Sequence, residues 1–385
     1  MSQACDVLIV GGGPAGSSCA WALRSTGLDI VVVDRKPFPR DKVCAGWITP
    51  KVVESLGLDL DEYRRTRTCQ PIRGFRTGML GGREIETRYD HAVSYGIRRS
   101  EFDAYLLARS GARLAEPQAI NRIERSGDGW LVDGSLRARV LVGAGGHLCP
   151  VARMLGARQH AESVVVAAQE IEFAPPADQL ESGSIREDLP ELFFCDDLEG
   201  YGWCFRKGDY LNIGLGRTRH EGLTGHVRQF VEFLRERGKV RTDVPEKFHG
   251  HAYQLYERTP PELCADGMLL VGDAAGLAYP QSGEGIRPAV ESGLLAAEAI
   301  VSADGDFHQA RLDAYRRRVL ARFGKPRSAG PSAWLPASWL CVLARQLLAS
   351  EGFARRVVLE RWFLHMHEPA LAPSSLEQPA LASPG

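Results

Sequence analysis

Cys5-Asp-Val-Leu-Ile-Val-Gly-Gly-Gly-Pro-Ala-Gly16 and, after a helical stretch, Ile30-Val-Val-Val-Asp34 are the segments that decide the fold. Asp6 to Val10 is a short apolar, β-branched run, long enough for one buried parallel strand. Gly11, Gly13 and Gly16 follow at G-x-G-x-x-G spacing, with Pro14 and Ala15 between the last two. The glycines serve a tight turn, the close approach of backbone to a pyrophosphate, and tight packing of helix on strand. Ala15 to Leu23 has the small-residue pattern of a helix lying close to a sheet, and its N-terminus offers N–H groups to phosphates. Asp34, eighteen residues past Gly16 at the end of the second apolar run, is placed to accept ribose hydroxyls. Strand, glycine turn, helix and acid together predict a dinucleotide site.

Working outward, 385 residues suffice for two domains of ordinary size. The hydrophobic content of 44% and charged content of 25% are those of a globular protein, and a net charge of −1 gives no reason to expect nucleic acid. The N-terminus runs straight into the first strand, with no secretory signal, and no apolar run approaches the ~20 residues that span a bilayer. Nine cysteines without C-x-x-C spacing predict reduced thiols in a cytoplasmic protein, without disulfides or a metal site.

The loop Arg35-Lys-Pro-Phe-Pro-Arg-Asp-Lys-Val-Cys-Ala-Gly-Trp-Ile-Thr-Pro50 is broken by prolines and leaves the ligand edge of the sheet. Cys44 sits in it beside Ala45 and Gly46, small enough for a ring system to approach. Residues 70–97 read as antiparallel strands. Arg98-Arg-Ser-Glu-Phe-Asp103 opens a helix with Ser100 as its expected cap. Ser126-Gly-Asp-Gly129 is a hairpin turn, and strands dominate from Ser163 to Arg219. A strand from Gly267 ends in Gly272-Asp273, and Gly283 and Gly285 precede the alanine-rich helix Ala289 to Val301. Arg311 to Arg327 carries six Arg and one Lys against Asp313 alone. The basic C-terminal helices cap the site, make a peripheral contact with an anionic membrane, or form a solvated face.

In their order, these segments resemble the FAD-dependent oxidoreductases built like the aromatic hydroxylases, and most closely the geranylgeranyl reductase family, over roughly residues 4 to 302. Gly11, Gly13, Gly16 and Asp34 fit the family's ADP-binding fingerprint, and Arg99 fits its FAD-contacting arginine. Asp273 in Val271-Gly-Asp-Ala-Ala fits the acid that holds the ribityl chain, and Pro280 with Gly283-Glu-Gly-Ile286 fits the loop beside the isoalloxazine. The resemblance implies FAD bound by Gly11, Gly13, Pro14, Ala15, Gly16, Asp34, Arg35, Arg99, Gly272, Asp273, Pro280, Gly283, Gly285 and Ile286. Lys42-Val-Cys-Ala-Gly-Trp is similar to the reductases' Cys-Gly-Gly loop, with Ala45 in place of the first glycine. Tyr201-Gly-Trp-Cys-Phe-Arg is similar to their Tyr-x-Trp-x-Phe-Pro motif, with Arg206 in place of proline. Gly145 stands where hydroxylases carry an acid, and Tyr201 and Phe205 do not match the Trp-x-Trp-x-Ile-Pro of halogenases.

The implied fold is α/β (α+β overall). A discontinuous Rossmann-like FAD-binding domain (1–69, 98–160, 258–305) would carry an inserted antiparallel-sheet substrate domain (70–97, 161–257). C-terminal helices (306–368) and a disordered tail (369–385) would follow. The implied activity is hydride transfer from reduced FAD to a carbon–carbon double bond of an apolar, isoprenoid-like or secondary-metabolite substrate. Cys44 is then a proton donor or a packing thiol, and Tyr201 and Trp203, with Trp47 and Phe205, line a tunnel or are ordinary core aromatics. Lys42 pairs with a phosphate or is solvated. The alternatives are a monooxygenase or halogenase acting through a C4a-hydroperoxide, and an electron carrier to a quinone or protein. With one nucleotide motif, electrons must come from NAD(P)H visiting the flavin transiently or from a protein donor.

Overall fold

The computed structural model describes residues 3–156, 164–182, 184–241, 243–256, 262–324 and 337–372. Its first sheet is built on the strand Gln3–Val10, which pairs in parallel with Ile30–Val33 on one side and Leu136–Gly143 on the other. Val7, Leu8 and Ile9 are wholly buried, as an all-apolar strand covered on both faces requires. Met268–Leu270 continues the parallel order beyond Leu136–Gly143, and the hairpin Ile123–Ser126 and Gly129–Val132 adds antiparallel strands. The helices Pro14–Leu23 and Ile286–Ser302 lie against each other beside this sheet. Gly293 permits their approach, since a Cβ there would stand 2.3 Å from the Ala15 carbonyl oxygen.

A second sheet has seven strands in the order His249–Gln254, Val165–Phe173, Tyr210–Arg217, Gly200–Lys207, Glu191–Phe194, Gly74–Met79, Ile85–Arg88. All neighbours are antiparallel except Glu191–Phe194 with Gly74–Met79. Side chains alternate between its faces. One face packs Phe193, Ile213 and Leu215 under the amphipathic helix Leu223–Glu236. Gly202 lies under Phe230 of that helix, where a Cβ would meet the ring at 2.7 Å. The other face gathers Phe75, Leu192, Phe194, Tyr201, Trp203 and Phe205 into an aromatic cluster. A separate three-stranded sheet orders Trp47–Ile48, Ser94–Ile97 and Cys69–Ile72, so strands expected together in 70–97 divide between two sheets.

Two expectations need correction, on the Ser100 cap and on the start of the tail. Ser100 does not cap its helix, which runs Arg99–Arg109 with Arg98 at the cap and no side-chain bond there; Asp103 instead binds the guanidinium of Arg99. The helices expected over 306–368 serve two different cores. Leu312, Tyr315 and Val319 of the helix Gln309–Phe323 pack in the nucleotide-side core, whereas Val358, Leu359 and Phe363 join the aromatic cluster. The tail expected to be disordered from 369 starts ordered: the Pro369 carbonyl accepts from Arg287 at 3.0 Å and from Arg322 at 2.8 Å. Residues 373–385 lie outside the described residues.

Phe230 is the ring on which helix and sheet meet, so Phe230→Ala is expected to cost about 3–5 kcal/mol. The measurement is urea unfolding, in which the midpoint should fall with the slope unchanged.

Candidate functional site

The glycine turn carries a reason at each position. Gly11 has φ +116°, and a Cβ there would lie 2.3 Å from the Ala144 oxygen. At Gly16 a Cβ would lie 1.9 Å from the Gly11 oxygen. Gly13 differs: its nearest neighbours would be Arg40 at 3.8 Å and Asp103 at 4.0 Å, so the side-chain space is open. That opening, at the start of the helix with Pro14 as its first residue, is the cradle a pyrophosphate needs. Asp34 accepts the Gly12 N–H at 2.9 Å and the Arg40 guanidinium at 3.1 Å, while Arg35 beside it is exposed. Arg99 is buried, held by Asp103 through two bonds of 2.8 Å, and also lies against the Cys44 thiol.

Gly272 and Asp273 start a short turn at the end of the strand Met268–Leu270. Gly272 has φ +59°, and its N–H donates to Ser292 Oγ. Lys42, partly exposed, pairs with the Asp273 carboxylate at 3.0 Å. Burial works against the charge of Asp273, but Lys42 and His251 hold its carboxyl well below the usual range. Burial, with Lys42 beside it, lowers His251 from the ordinary imidazole value. Its Nε2 is buried 3.6 Å from Asp273 and without a hydrogen-bond partner among the described residues. Gly285 caps the helix Ile286–Ser302, and a Cβ on it would stand 3.0 Å from Asp273 Oδ1. Gly283 has φ +67° with the Tyr253 hydroxyl 2.3 Å from its Cβ position, and half-buried Pro280 stands in the same loop.

Cys44 lies where the two cores meet. It packs against the nucleotide-side core, and its neighbours Val43 and Ala45 pack against the aromatic cluster. Its N–H donates to Glu170 at 2.6 Å and its carbonyl accepts from Asn212 at 3.4 Å. The Asn212 side-chain oxygen accepts from the Trp203 indole at 2.7 Å, and the Tyr201 hydroxyl donates to the Ser282 carbonyl at 2.5 Å. Trp203 lies flat over Gly214, whose Cβ would meet the ring at 2.2 Å. The structure thus brings Cys44, Tyr201 and Trp203 to one seam with Asp273, Gly283 and Gly285, while Gly13 and Asp34 lie further along the nucleotide sheet.

The sequence did not single out the buried polar residues beneath that seam. Glu172 accepts from Arg98 at 2.9 Å and Asn212 at 3.1 Å and pairs with Lys207, whose ammonium also donates to the Ala45 and Ile97 carbonyls at 3.1 Å. Burial pushes the Glu170 carboxyl up to about 8, Lys207 opposing and Glu172 reinforcing the shift. The available signal was two glutamates two positions apart in an apolar strand, which places both on one face.

With this geometry in hand, the chain is similar to known proteins across most of its length. The FAD binding domain family matches residues 4–325. Rice chloroplastic geranylgeranyl diphosphate reductase is 30% identical over 83% of this chain and 71% of its own. The menaquinone reductase of Mycobacterium tuberculosis is 32% identical over 79% of this chain and 78% of its own. A geranylgeranyl bacteriochlorophyll reductase-like protein of Thermoplasma acidophilum superposes with a TM-score of 0.75 at 19% identity, over 95% of this chain and 99% of that one. The flavin-dependent halogenase CmlS follows with 0.65 at 21% identity, over 91% and 72%, a likeness of fold. The protein is therefore an FAD-dependent oxidoreductase. Within that class it belongs to the geranylgeranyl reductase-like family.

Asp273→Ala removes the acid between the glycine cradle and the ring loop. The variant should purify without FAD, and a full yellow spectrum would contradict the role given to Asp273. Glu170 predicts a pH effect. Between about 4.5, its ordinary value, and about 8, the folded protein holds a proton that the unfolded chain has released. Stability therefore falls as pH rises through that window. Glu170→Gln removes this loss, so its urea midpoint relative to the parent should be higher at pH 8 than at pH 5. An equal difference at both pH values would show the native carboxyl to be charged.

Proposed function

We propose that this protein reduces a carbon–carbon double bond of an apolar, isoprenoid-like substrate at the seam between the Cys44 loop and the aromatic face. The observation that carries the reading is the position of Cys44, with Arg99 and the nucleotide-side core on one side and Trp47, Tyr201, Trp203 and Phe205 on the other. The relatives' names support the substrate class: geranylgeranyl diphosphate, digeranylgeranylglycerophospholipid and menaquinone share an isoprenoid chain.

The open side of Gly13, the acid at Asp273 and the orphaned His251 Nε2 are what a bound dinucleotide with a ribityl chain would use. In this reading Gly11, Gly13, Pro14, Ala15 and Gly16 receive the pyrophosphate, Asp34 and Arg35 border the adenosine ribose, and Arg99 approaches a phosphate. Gly272 and Asp273 hold the ribityl chain, and Pro280, Gly283, Gly285 and Ile286 border the ring. Bound FAD, once reduced, supplies the hydride. The protein supplies the rest. Tyr201, Trp203 and their neighbours orient the alkene and exclude water, and the Cys44 S–H gives its proton to the second carbon.

NAD(P)H visiting transiently or a protein donor supplies the electrons. No helix of the described residues is long and apolar enough to cross a membrane. Val342, Leu343 and Leu347 expose an apolar face on the helix Ala337–Leu348, which with exposed Arg356 and Arg361 nearby in the chain suits a peripheral contact with anionic lipid.

The test is anaerobic turnover of an alkene panel by the reduced protein, read by mass. A gain of two hydrogens is expected, and a gain of oxygen or halide under air would put an oxygen-activating reaction in its place. Cys44→Ala should lower turnover by roughly 10²-fold at unchanged FAD content. Unchanged turnover would take the thiol out of the mechanism.

A further inference from the structure

The wall opposite the aromatic face comes from a part of the chain beyond the family match, which ends at 325. Ala354–Phe363 winds as a wide helix, and Leu364 donates to the Leu359 carbonyl five residues back at 2.8 Å. That winding puts residues four and five apart on one side, and Ala354, Val358, Leu359 and Phe363 are all fully buried. Phe363 is the centre of the contact. Its ring lies 5.3 Å from Tyr201, 6.1 Å from Trp47 and 6.4 Å from Phe194. Tyr201 in turn bonds to Ser282 of the ring loop, so Phe363 is one residue removed from the reacting end.

The segment is held at both ends. Arg345 pairs with Asp196 at 2.9 Å, and Arg355 donates to the Arg88 carbonyl and lies over the Tyr89 ring. At the other end Arg287, on the helix that follows the ring loop, donates to the carbonyls of His365 and Glu368 at 3.2 and 3.1 Å. The His365 ring stacks on Tyr279 at 3.7 Å. A side chain placed so firmly against Tyr201 and Trp47 acts as a stop just beyond them.

We propose that Ala354–Leu364 is the wall that selects the substrate, with Phe363 limiting how far an isoprenoid tail extends beyond Tyr201. This rests on the alkene-reductase reading. A phenyl ring occupies about the space of one isoprene unit, so Phe363→Ala admits a tail one unit longer and Phe363→Trp shortens the accepted tail. The face of the sheet keeps its aromatic lining in both variants, so the change falls on chain length and not on the alkene. A difference of one apolar group in a pocket is worth roughly 10- to 200-fold in discrimination.

The experiment measures kcat/KM for farnesyl, geranylgeranyl and geranylfarnesyl alcohols with the parent, F363A, F363W and the conservative F363L. In parallel it measures binding of the same alcohols to the oxidised holoproteins by quenching of tryptophan fluorescence. The expected result is a shift of preference of about tenfold or more toward the longer tail in F363A and toward the shorter in F363W, in both turnover and binding, with F363L near the parent. An unchanged ranking in all variants overturns the proposal and leaves the reductase reading intact. If the parent binds the alcohols and reduces none, the reductase reading fails, and the binding series alone still decides the stop: it must show the same opposite shifts. Absence of binding by the parent overturns both. Should F363A fail to fold, F363W against F363L carries the same comparison.

Discussion

A fully buried ammonium holds the seam together. Lys207 has no exposed surface, and its three donors go to the Ala45 carbonyl, the Ile97 carbonyl and the Glu172 carboxylate. Each partner comes from a different segment: the Cys44 loop, the strand that precedes Arg99, and the strand that carries Glu170. A buried cation is tolerated only when every donor is matched, and removing one member of such a set typically costs 3–5 kcal/mol. The loop conformation follows from that demand. Gly46 has φ +73°, and a Cβ on it would stand 2.5 Å from the Ile97 oxygen and 2.7 Å from the Lys207 nitrogen. The Ala45 carbonyl reaches the ammonium because Gly46 turns the chain there.

From this point the two cores are joined by polar contacts at the place where they meet. Glu170 and Asn212 fix the backbone of Cys44 from below, Arg99 approaches its thiol from the nucleotide side, and Lys42 bonds Asp273 across the same loop. The loop 35–50 is therefore positioned by charges from both sheets as well as by the packing of Trp47 and Ile48. Polar contacts of this kind hold the Cys44 backbone in place. The sheet face carries small residues near the seam. Gly214 makes room for the Trp203 ring, and Ala168 stands two residues before Glu170.

How much of this the sequence reveals depends on the range of the contacts. The nucleotide half is legible because its signals are local: a β-branched run, three glycines at fixed spacing and an acid at the end of the next strand all act within thirty-four residues. The aromatic strand was legible too, since Tyr201, Trp203 and Phe205 alternate along one face. The polar floor was not. Cys44 and Glu170 are separated by 126 residues and Ala45 and Lys207 by 162, and nothing in either segment names the other. Ser100 shows the opposite failure. It has the sequence of a cap, but the stronger pairing of Arg99 with Asp103 takes the acid that would complete the motif.

The C-terminal third divides by the core it serves. Up to Phe323, buried side chains complete the nucleotide half, and the Tyr315 hydroxyl caps the carbonyl of Leu270 at the end of a central strand. Beyond 337 they serve the aromatic face instead. The nucleotide-side core and the aromatic face are thus completed by different stretches of chain, and Arg287 is a principal link between them. Its guanidinium, fully buried, pairs with Glu291 on its own helix and donates to three carbonyls of the segment 365–369. Because a buried guanidinium cannot be left half matched, the helix beside the ring loop and the end of the wall are held in one arrangement. Between its two anchors the segment Ala354–Phe363 meets Tyr201, Trp47 and Phe194 through Phe363.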